Sequence, residues 1–278
     1  MFYLESSTAA NCDDFLTHRW YMFVDPIALD LGVVQIYWYG ILYLVAFALA
    51  YILLIKRRQL VSPGWTKDQV SDLIFFAAIG VIIGGRFGYI LVYQPELMMA
   101  RPFSLFEFWA PGRSFHGGAV GVLLCFWVFA KKYHIKYFQV TDFVAPVIPI
   151  GIFLGRFGNF INGELWGRVT DVSWGVVFPH VGQLARHPSS LYEMFLEGFL
   201  LYVLLDIVRK KTNITGIVSA TFLIGYGVTR FIAEYFREPD YGIGFVIDGL
   251  TMGQLLSLPM VIIGLLLAFN FKSKARLG

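Results

Sequence analysis

Residues 34–54 read VQIYWYGILYLVAFALAYILL and contain no charged side chain. A helix of about 20 apolar residues is long enough to cross the ~30 Å hydrocarbon core of a bilayer. A helix also satisfies the polar groups of its own backbone, which lipid cannot do. The stretch is therefore predicted to be a transmembrane helix.

The composition of the whole chain extends this prediction. Of its 278 residues, 57% are hydrophobic and only 15% are charged, whereas soluble domains carry about 25% charged residues. Further apolar runs of similar length lie at residues 73–93, 109–129, 137–157, 190–210, 216–236 and 251–271. We therefore predict an all-α fold, in which residues 1–278 form one membrane-embedded domain, a polytopic bundle of seven transmembrane helices.

The distribution of lysine predicts the direction of the spans. Every lysine falls in alternate loops or after the last span, and an excess of positive charge marks the cytoplasmic side of a membrane. These residues are Lys56, Lys67, Lys131, Lys132, Lys136, Lys210, Lys211, Lys272 and Lys274. The N-terminus is therefore expected outside and the C-terminus in the cytoplasm. The small net charge of +3 gives no indication of nucleic-acid binding.

The longest outer connection spans residues 159–189 and contains Trp166, Trp174, Pro179 and Pro188. Loops of this length are usually functional or form a small subdomain of their own. We therefore expect a small extracytoplasmic head at these residues.

Glycines recur at four-residue spacing inside three of the predicted spans. Small residues at this spacing let helices approach closely in a bilayer, and this role needs no ligand. The series are Gly80, Gly84 and Gly88, then Gly117 and Gly121, then Gly151 and Gly155. Each series predicts a close helix–helix contact.

The two cysteines, Cys12 and Cys125, lie in a polar N-terminal segment and inside an apolar run. They form no CxxC or other metal-ligand spacing, and no cluster of metal-binding residues is visible elsewhere in the sequence. We interpret both as free thiols without a catalytic role, and we expect no metal and no cofactor.

Several charged residues fall inside the predicted spans, and Arg86, Arg156, Arg230 and Glu234 are the ones considered first. A charge at the centre of a span costs about 2.5–3.5 kcal/mol on insertion scales, so each of them needs an explanation. Arg230 and Glu234 are four residues apart and can form a purely structural pair on one helix face, and snorkelling to the interface is a second explanation. The functional interpretation is an anion site, because a guanidinium group offers a planar fork of donors to phosphate oxygens.

Residues 155–168, GRFGNFINGELWGR, close the fourth predicted span. Arg156 and Asn159 are three residues apart and can face one cavity. The glycines let the backbone leave the helix and approach a ligand closely, while Asn159 and Asn162 add neutral donors and acceptors. The pattern is typical of an anion site towards the outer leaflet, and the alternative is an ordinary polar helix end that leads into a loop.

His116 lies in SFHGGAVG, residues 114–121, at the outer end of the third predicted span. Ser114 is a suitable N-cap for that helix. A histidine at an interface is often only a hydrogen-bonded structural group. Its functional interpretation is a general base, a role that imidazole fills more often than any other side chain.

Several of these segments resemble the signature segments of the bacterial prolipoprotein diacylglyceryl transferases. The likeness is strongest at residues 114–118 and 155–168, and it runs in order from about residue 27 to residue 271. The supporting segments are WYG at 38–40, GGR at 84–86, RHPS at 186–189, GYG at 225–227, FR at 236–237 and MGQ at 252–254.

The resemblance implies a multi-pass enzyme of the bacterial inner membrane with seven transmembrane helices and a periplasmic head. It implies that phosphatidylglycerol donates its diacylglyceryl group to the lipobox cysteine thiol of a preprolipoprotein. This first step of lipoprotein maturation forms a thioether and releases glycerol phosphate. The implied partners are phosphatidylglycerol, the preprolipoprotein signal peptide and the lipid bilayer, with no nucleic acid.

At the resembling positions, the catalytic residues are expected to be His116, Arg156 and Arg230, with His116 as the base that takes the thiol proton. The residues expected to bind phosphatidylglycerol are Tyr39, Arg86, Arg156, Asn159, Asn162, Glu164, Gly167, Tyr226, Glu234 and Arg237. Among these, Tyr39 and Tyr226 would position the headgroup. Glu164 would orient Arg156 or bind a glycerol hydroxyl, and Glu234 would hold Arg230.

Two other functions stay open at the level of the sequence. A lipid-binding transporter or scaffold without chemistry would use the same arginines to hold headgroups, although the chain shows no internal repeat of the kind found in many transporters. A different lipid-phosphate transferase, such as a phosphodiester-cleaving enzyme, would need a metal-binding carboxylate cluster or a Ser/His pair. Neither pattern is apparent.

Overall fold

The computed structural model describes residues 2–3, 20–22, 25–32, 35–61, 64–110, 112–239, 244–247 and 249–277. Cys12 and residue 34, the first residue of the first predicted span, lie outside these ranges. The helices in the described ranges are α1 Trp38–Val61, α2 Lys67–Tyr93, α3 Pro95–Ala100, α4 Phe115–Lys132, α5 Tyr137–Val144, α6 Ile148–Ile161, α7 Ser189–Glu193, α8 Leu201–Lys211, α9 Ile217–Ala233 and α10 Met252–Leu277. Short 3₁₀-helices occupy Pro102–Phe106 and Ala145–Val147, and a π-helix occupies Met194–Leu200.

Within the described ranges, five helical segments are long and apolar enough to cross a membrane. They are Trp38–Gln59, Lys67–Tyr93, Phe115–Lys132, Tyr137–Ile161 and Met252–Arg276. The chain is therefore a mostly helical, multi-pass membrane protein. The predicted span 216–236 corresponds to a shorter apolar helix, Ile217–Ala233. The predicted span 190–210 corresponds to a helical run that changes from α to π and back to α.

The first long helix begins later than predicted because a hairpin precedes it. Strand β3, Ile27–Asp30, pairs antiparallel with β4, Gln35–Tyr37, so the start of the predicted span is extended backbone. The backbone N–H of Trp38 then donates to the Pro26 carbonyl at 3.1 Å, and α1 begins. The mostly helical fold thus contains short strands that the all-α prediction does not include.

Further short strands lie in the connection between α6 and α7 and beside it. Strands β5, Val176–Val177, and β6, Ala185–Arg186, pair antiparallel, and β2, Trp20–Met22, pairs in parallel with β5. Strand β1, Phe2–Tyr3, pairs with β2 and completes a four-stranded sheet. A small apolar core is formed by Phe160, at the end of α6, together with Val176 and Phe178 of the connection. The connection is therefore a folded subdomain.

The chain divides into two compact units, one of residues 1–50 and 145–278 and one of residues 51–144. In the first unit, a buried apolar cluster joins the 3₁₀-helix before α6, the helix α8 and the helix α9. Its buried members are Ala145, Leu201, Leu205 and Val218, with Phe222 and Tyr226 packed against them. A last hairpin of β7, Phe245–Ile247, and β8, Leu250–Thr251, precedes α10.

Glycines set the packing of α2 against α4 in the second unit. A methyl group added to Gly80 would lie 2.7 Å from the Val122 Cα, and one added to Gly88 would lie 2.5 Å from the Gly117 Cα. The close contact predicted for these two series is confirmed. The prediction is wrong for Gly151 and Gly155, where an added methyl group would meet no heavy atom of the described residues within 4 Å.

Candidate functional site

Arg156 on α6 and Arg230 on α9 meet two glutamates of the helical run that begins with α7. Arg156 donates from Nη2 to Glu197 Oε2 at 3.2 Å, and its Nε lies 3.0 Å from Glu193 Oε2. Arg230 donates from Nη1 to Glu193 Oε1, and the same nitrogen lies 3.5 Å from Glu197 Oε1. Each arginine therefore contacts both glutamates, and we name these four residues the arginine–glutamate ring.

Two more charged residues contact the ring. Arg230 Nη2 lies 2.7 Å from Glu234 Oε2, at the end of α9, and the predicted pairing of these two residues is confirmed. Arg237 donates from Nη1 to Glu193 Oε1 at 3.4 Å. The three guanidinium groups are thus matched by three carboxylates, and the cluster has no formal net charge.

The carboxylates of the ring lie deeper than its guanidinium groups. The side chains of Glu193 and Glu197 are 0% exposed, while those of Arg156 and Arg230 are 18% and 14% exposed. Breaking a buried ion pair by removing one partner costs about 3–5 kcal/mol. The glutamates therefore contact the arginines from the buried side, and each arginine side chain stays partly exposed.

Not every contact in the cluster is an aligned hydrogen bond. Glu193 Oε2, Glu197 Oε1 and Glu234 Oε2 receive no aligned donor from the described residues, although each lies within 3.5 Å of a guanidinium nitrogen. These contacts are electrostatic pairs rather than aligned hydrogen bonds.

The ring glutamates lie at the π-helix Met194–Leu200 and just before it. π-Helical turns are rare and occur frequently at functional sites. Gly198 lets α6 approach this turn closely, because a methyl group there would lie 2.7 Å from the Phe153 Cβ. Arg156 follows Phe153 by three residues on α6, so the close approach brings its guanidinium to the two carboxylates.

The end of α6 brings three polar residues of the predicted site together. Asn159 and Asn162 each donate from Nδ2 to the Glu164 carboxylate at 3.2 Å. The Asn162 Oδ1 is buried and has no hydrogen-bond partner among the described residues. Glu164 binds these amides, whereas Arg156 is held by the ring glutamates. Leu165 has a positive φ of 55°, a strained conformation of the kind that clusters at active sites.

Tyr39 lies near the start of α1 and packs against α6. A methyl group on Gly158 would lie 2.8 Å from the Tyr39 ring, and the Tyr39 hydroxyl lies 3.1 Å from that of Tyr43. An open, mainly apolar cleft of about 710 Å³ begins here. Its lining residues are Gln35, Ile36, Tyr37, Tyr39, Gly40, Ile41, Leu44 and Asn162. Two residues of the predicted site, Tyr39 and Asn162, therefore border one cleft.

Tyr226 lies one turn before Arg230 on α9 and belongs to the same cluster. Its ring stacks on Phe222, with the two centroids 5.8 Å apart. Its hydroxyl is within electrostatic range of Glu197, Arg156 and Arg230. The structure thus brings together Arg156, Tyr226, Arg230, Glu234 and Arg237 from the predicted set.

Backbone hydrogen bonds fix the segment after α6 on two sides. The N–H of Gly167 donates to the His187 carbonyl and that of Arg168 donates to the Phe236 carbonyl, both at 2.9 Å. Gly167 and Arg237 also form an isolated β-bridge. A methyl group on Gly167 would lie 2.5 Å from the Phe236 carbonyl oxygen. Only glycine fits this position without a shift of the backbone.

A chain of hydrogen bonds joins the β-containing subdomain to the start of α7. Trp174 donates from Nε1 to the Tyr192 hydroxyl at 2.7 Å, and that hydroxyl lies 3.2 Å from His187 Nδ1. Burial lowers the pKa of the His187 imidazole below its ordinary value, so the neutral ring is favoured. Because Tyr192 immediately precedes Glu193, these hydrogen bonds help to hold the residue that contacts three arginines.

Arg86 lies in the unit of residues 51–144, and its donors are directed at the protein backbone. This buried residue of α2 donates from Nε and Nη2 to the Ser104 carbonyl at 3.2 and 2.9 Å. Its Nη2 also lies 4.0 Å from Glu107. Arg86 therefore anchors the 3₁₀-helix that follows α3.

His116 lies in the same unit, as the second residue of α4, and its side chain is exposed. Its ring contacts Phe115, with centroids 5.7 Å apart. Ser114 caps the helix as predicted, since its hydroxyl accepts from the Gly117 N–H at 3.2 Å. The Ser114 N–H donates to the Gly85 carbonyl at 2.8 Å, which ties the start of α4 to the residue before Arg86.

Glu193 and Glu197 are members of the cluster that the sequence patterns did not predict. Both lie in the fifth predicted span, four residues apart. Charged residues inside a span normally pair with one another or face a cavity. The signal that could have identified them is therefore a pair of carboxylates on one helix face, because arginines in other spans need partners of opposite charge.

Paired arginines in the helices of a multi-pass membrane protein are a candidate functional site, because charged residues in such helices usually have a functional role. The family model described as prolipoprotein diacylglyceryl transferase matches residues 26–270. The chain therefore belongs to the prolipoprotein diacylglyceryl transferase family, which is a family of transferases, and the resemblance noted in the sequence is confirmed.

Several relatives carry the name phosphatidylglycerol–prolipoprotein diacylglyceryl transferase. The protein of Coxiella burnetii (strain RSA 331 / Henzerling II) is 51% identical over 246 residues, which cover 88% of this chain and 94% of the relative. The protein of Legionella pneumophila (strain Lens) is 50% identical over 243 residues, 87% of this chain and 95% of the relative. The protein of Photobacterium profundum is 50% identical over 254 residues, 91% of this chain and 96% of the relative.

Proposed function

We propose that this enzyme transfers the diacylglyceryl group of phosphatidylglycerol to the lipobox cysteine thiol of a preprolipoprotein. The product is a thioether, and glycerol phosphate is released. The observation that carries the proposal is the arginine–glutamate ring, in which Arg156 and Arg230 share two buried carboxylates and have partly exposed side chains. Membership of the transferase family supports the same substrates.

The proposed reaction replaces one carbon–oxygen bond with one carbon–sulfur bond. The thiol gives its proton to a base, and the thiolate, which is the nucleophilic form of cysteine, attacks the glyceryl carbon that bears the phosphate oxygen. The electron pair of the broken bond stays on that oxygen, so the leaving glycerol phosphate gains one negative charge. Stabilising this charge is the largest contribution that the protein can make.

In this proposal Arg156 and Arg230 bind the phosphate oxygens. Charge-assisted hydrogen bonds from guanidinium groups are about twice as strong as neutral ones, and they strengthen as the leaving group becomes more negative. Glu234 holds Arg230, and Arg237 contacts the buried side of the cluster. The ring is in place before the reaction begins, so little reorganisation is needed as the charge develops.

The polar residues at the end of α6 are suited to the glycerol headgroup. Asn159, Asn162 and Glu164 form a hydrogen-bonded set, and the unsatisfied Asn162 oxygen can accept from a glycerol hydroxyl. Tyr39 borders both this set and the apolar cleft. We therefore assign the headgroup to the amides and an acyl chain to the cleft. Gly167 has a supporting role, since it lets the backbone beyond α6 stay close to Phe236.

We propose His116 as the base that takes the thiol proton. Its side chain is exposed at the first turn of α4, so an incoming peptide can reach it. Arg86 is given a positioning role in this proposal, because its donors bind the Ser104 carbonyl.

Replacing His116 with asparagine is expected to lower the rate at neutral pH by about 10²–10⁴-fold, the usual contribution of a general base. The rate of the variant should then rise with pH as the substrate thiol, with an ordinary pKa of about 8.5, ionises without help. The measurement is transfer of a labelled diacylglyceryl group to a lipobox peptide between about pH 6 and pH 9, a range that brackets the ordinary pKa values of imidazole and thiol. Wild-type activity with an unchanged pH profile would remove His116 from this role.

We also propose that the runs at 190–210 and 216–236 complete seven spans. The ring supports this, because it pairs the charges that these two runs would otherwise carry unpaired into lipid. The lysine distribution supports a periplasmic N-terminus and a cytoplasmic C-terminus in the bacterial inner membrane. With this direction, the subdomain at residues 159–189 is a periplasmic head, on the side where secreted preprolipoproteins arrive.

The proposed activity is tested by the release of glycerol phosphate from phosphatidylglycerol vesicles that contain the purified enzyme. We expect release only when a lipobox peptide with a free cysteine is added, in equal amount to the thioether formed. A peptide with serine in place of cysteine is the matched control. Release without a thiol acceptor would indicate hydrolysis and would contradict the proposed transfer.

A further inference from the structure

The arginine–glutamate ring holds two like charges close together. The guanidinium groups of Arg156 and Arg230 repel each other electrostatically. They come from α6 and α9, and neither helix alone can set the spacing between the two groups. A fixed spacing therefore requires groups of opposite charge between them.

Glu193 is the carboxylate best placed for this purpose. Its Oε1 accepts from Arg230 and from Arg237, the latter at 3.4 Å, and its Oε2 lies 3.0 Å from Arg156 Nε. Its two oxygens thus contact guanidinium groups from three different parts of the chain. Glu197 contacts two of the three.

Glu193 itself is shielded from a substrate. Its side chain is 0% exposed, whereas the side chains of Arg156 and Arg230 are 18% and 14% exposed. It therefore acts on the reaction only through the arginines that it holds.

We propose that Glu193 is a positioning residue, which sets the distance between Arg156 and Arg230 so that both bind the phosphate of one phosphatidylglycerol molecule. The proposal rests on the proposed function of these two arginines. Glu197 closes the ring on the other side and has the same role with a smaller effect, since it lacks the contact with Arg237.

The variant Glu193→Gln keeps the size of the side chain and removes its charge. An amide cannot accept from three guanidinium groups, and its NH₂ would face a donor. We expect kcat/KM for phosphatidylglycerol to fall by about 100-fold, comparable with the loss of one preorganised donor. We expect KM for phosphatidylglycerol to rise while KM for the lipobox peptide stays unchanged. Glu197→Gln should show the same split with a smaller loss.

Controls separate this role from a loss of folding. Asp206→Asn removes a carboxylate from the same helical run, where Asp206 pairs with Arg209 at 2.5 Å and Lys210 at 2.6 Å, and it should keep wild-type kinetics. The thermal unfolding of each variant in detergent reports its folded fraction. Glu193→Asp, which keeps the charge, should recover at least part of the lost affinity for phosphatidylglycerol.

The outcomes distinguish failure of the positioning role of Glu193 from failure of the proposed phosphate-binding function of the arginines. If Arg156→Ala is inactive but Glu193→Gln keeps the wild-type KM for phosphatidylglycerol, the positioning role is wrong and the phosphate-binding role stands. A lower kcat with both KM values unchanged and a lower unfolding temperature would also overturn it, because that result indicates fewer folded molecules. If Arg156→Ala itself is fully active, the proposed function of the ring fails.

Discussion

Arg156→Ala is expected to lower the rate of diacylglyceryl transfer by about 10³-fold or more. Removing a single preorganised donor from a site of developing negative charge costs roughly 10²–10³ in kcat, and here the change also takes one cationic partner from each of the two buried glutamates. Glu193 loses its contact with Arg156 at 3.0 Å, and Glu197 loses its contact with the same arginine at 3.2 Å. The measurement is transfer of a labelled diacylglyceryl group from phosphatidylglycerol to a lipobox peptide by purified protein.

Two comparisons make this result specific. Arg156→Lys keeps the positive charge but lacks the planar fork of donors, so it should recover only a minor part of the activity. Arg209→Ala removes an arginine from an ion pair with Asp206 that is outside the ring, and it should be fully active. Wild-type turnover by Arg156→Ala in protein that inserts normally would show that the phosphate is bound elsewhere.

Gly167→Ala is expected to reduce both activity and stability, although it adds only one methyl group. That group would lie 2.5 Å from the Phe236 carbonyl oxygen and 2.7 Å from the His187 Cβ. One of these neighbours is backbone, so the segment itself must shift, and overpacking of this kind typically costs about 1–3 kcal/mol. The shift would move Arg237, which is bridged to Gly167 and donates to Glu193.

The experiment compares transfer rate and thermal unfolding of Gly167→Ala with those of Gly151→Ala. An added methyl group at Gly151 would meet no heavy atom of the described residues within 4 Å, and alanine favours a helix by about 1 kcal/mol over glycine. We expect Gly151→Ala to be as active and at least as stable as the wild type. Equal behaviour of the two variants would show that the close approach at Gly167 is not needed.

The sequence predicted several members of the candidate site, but it did not predict the partners that hold them. Arg156, Asn159 and Asn162 were recognisable because they lie within a few residues of one another on one helix end. Arg230 and Glu234 were predictable as a pair for the same reason. The link from Arg156 to Glu193 joins segments far apart in the chain, and periodicity carries no information about such contacts.

The helix ends show the same limit. The uncharged run of residues 34–54 includes both β4 and the start of α1. Hydropathy alone therefore cannot separate extended from helical backbone within it. Gly151 and Gly155 have the spacing of the glycines in α2 and α4, but no neighbour of theirs among the described residues comes close enough to use it. Whether a small-residue pattern forms a contact depends on the facing helix, which one segment does not specify.

The order of the ring residues along the chain has a consequence for biosynthesis. Arg156 is made first, Glu197 follows 41 residues later, and Arg230 comes 37 residues after Glu193. A ribosome therefore delivers α6 to the membrane while its arginine still lacks both counter-charges. The ring closes only after α9 has been synthesised, so the last partner to arrive completes the charge balance of the segments that were made before it.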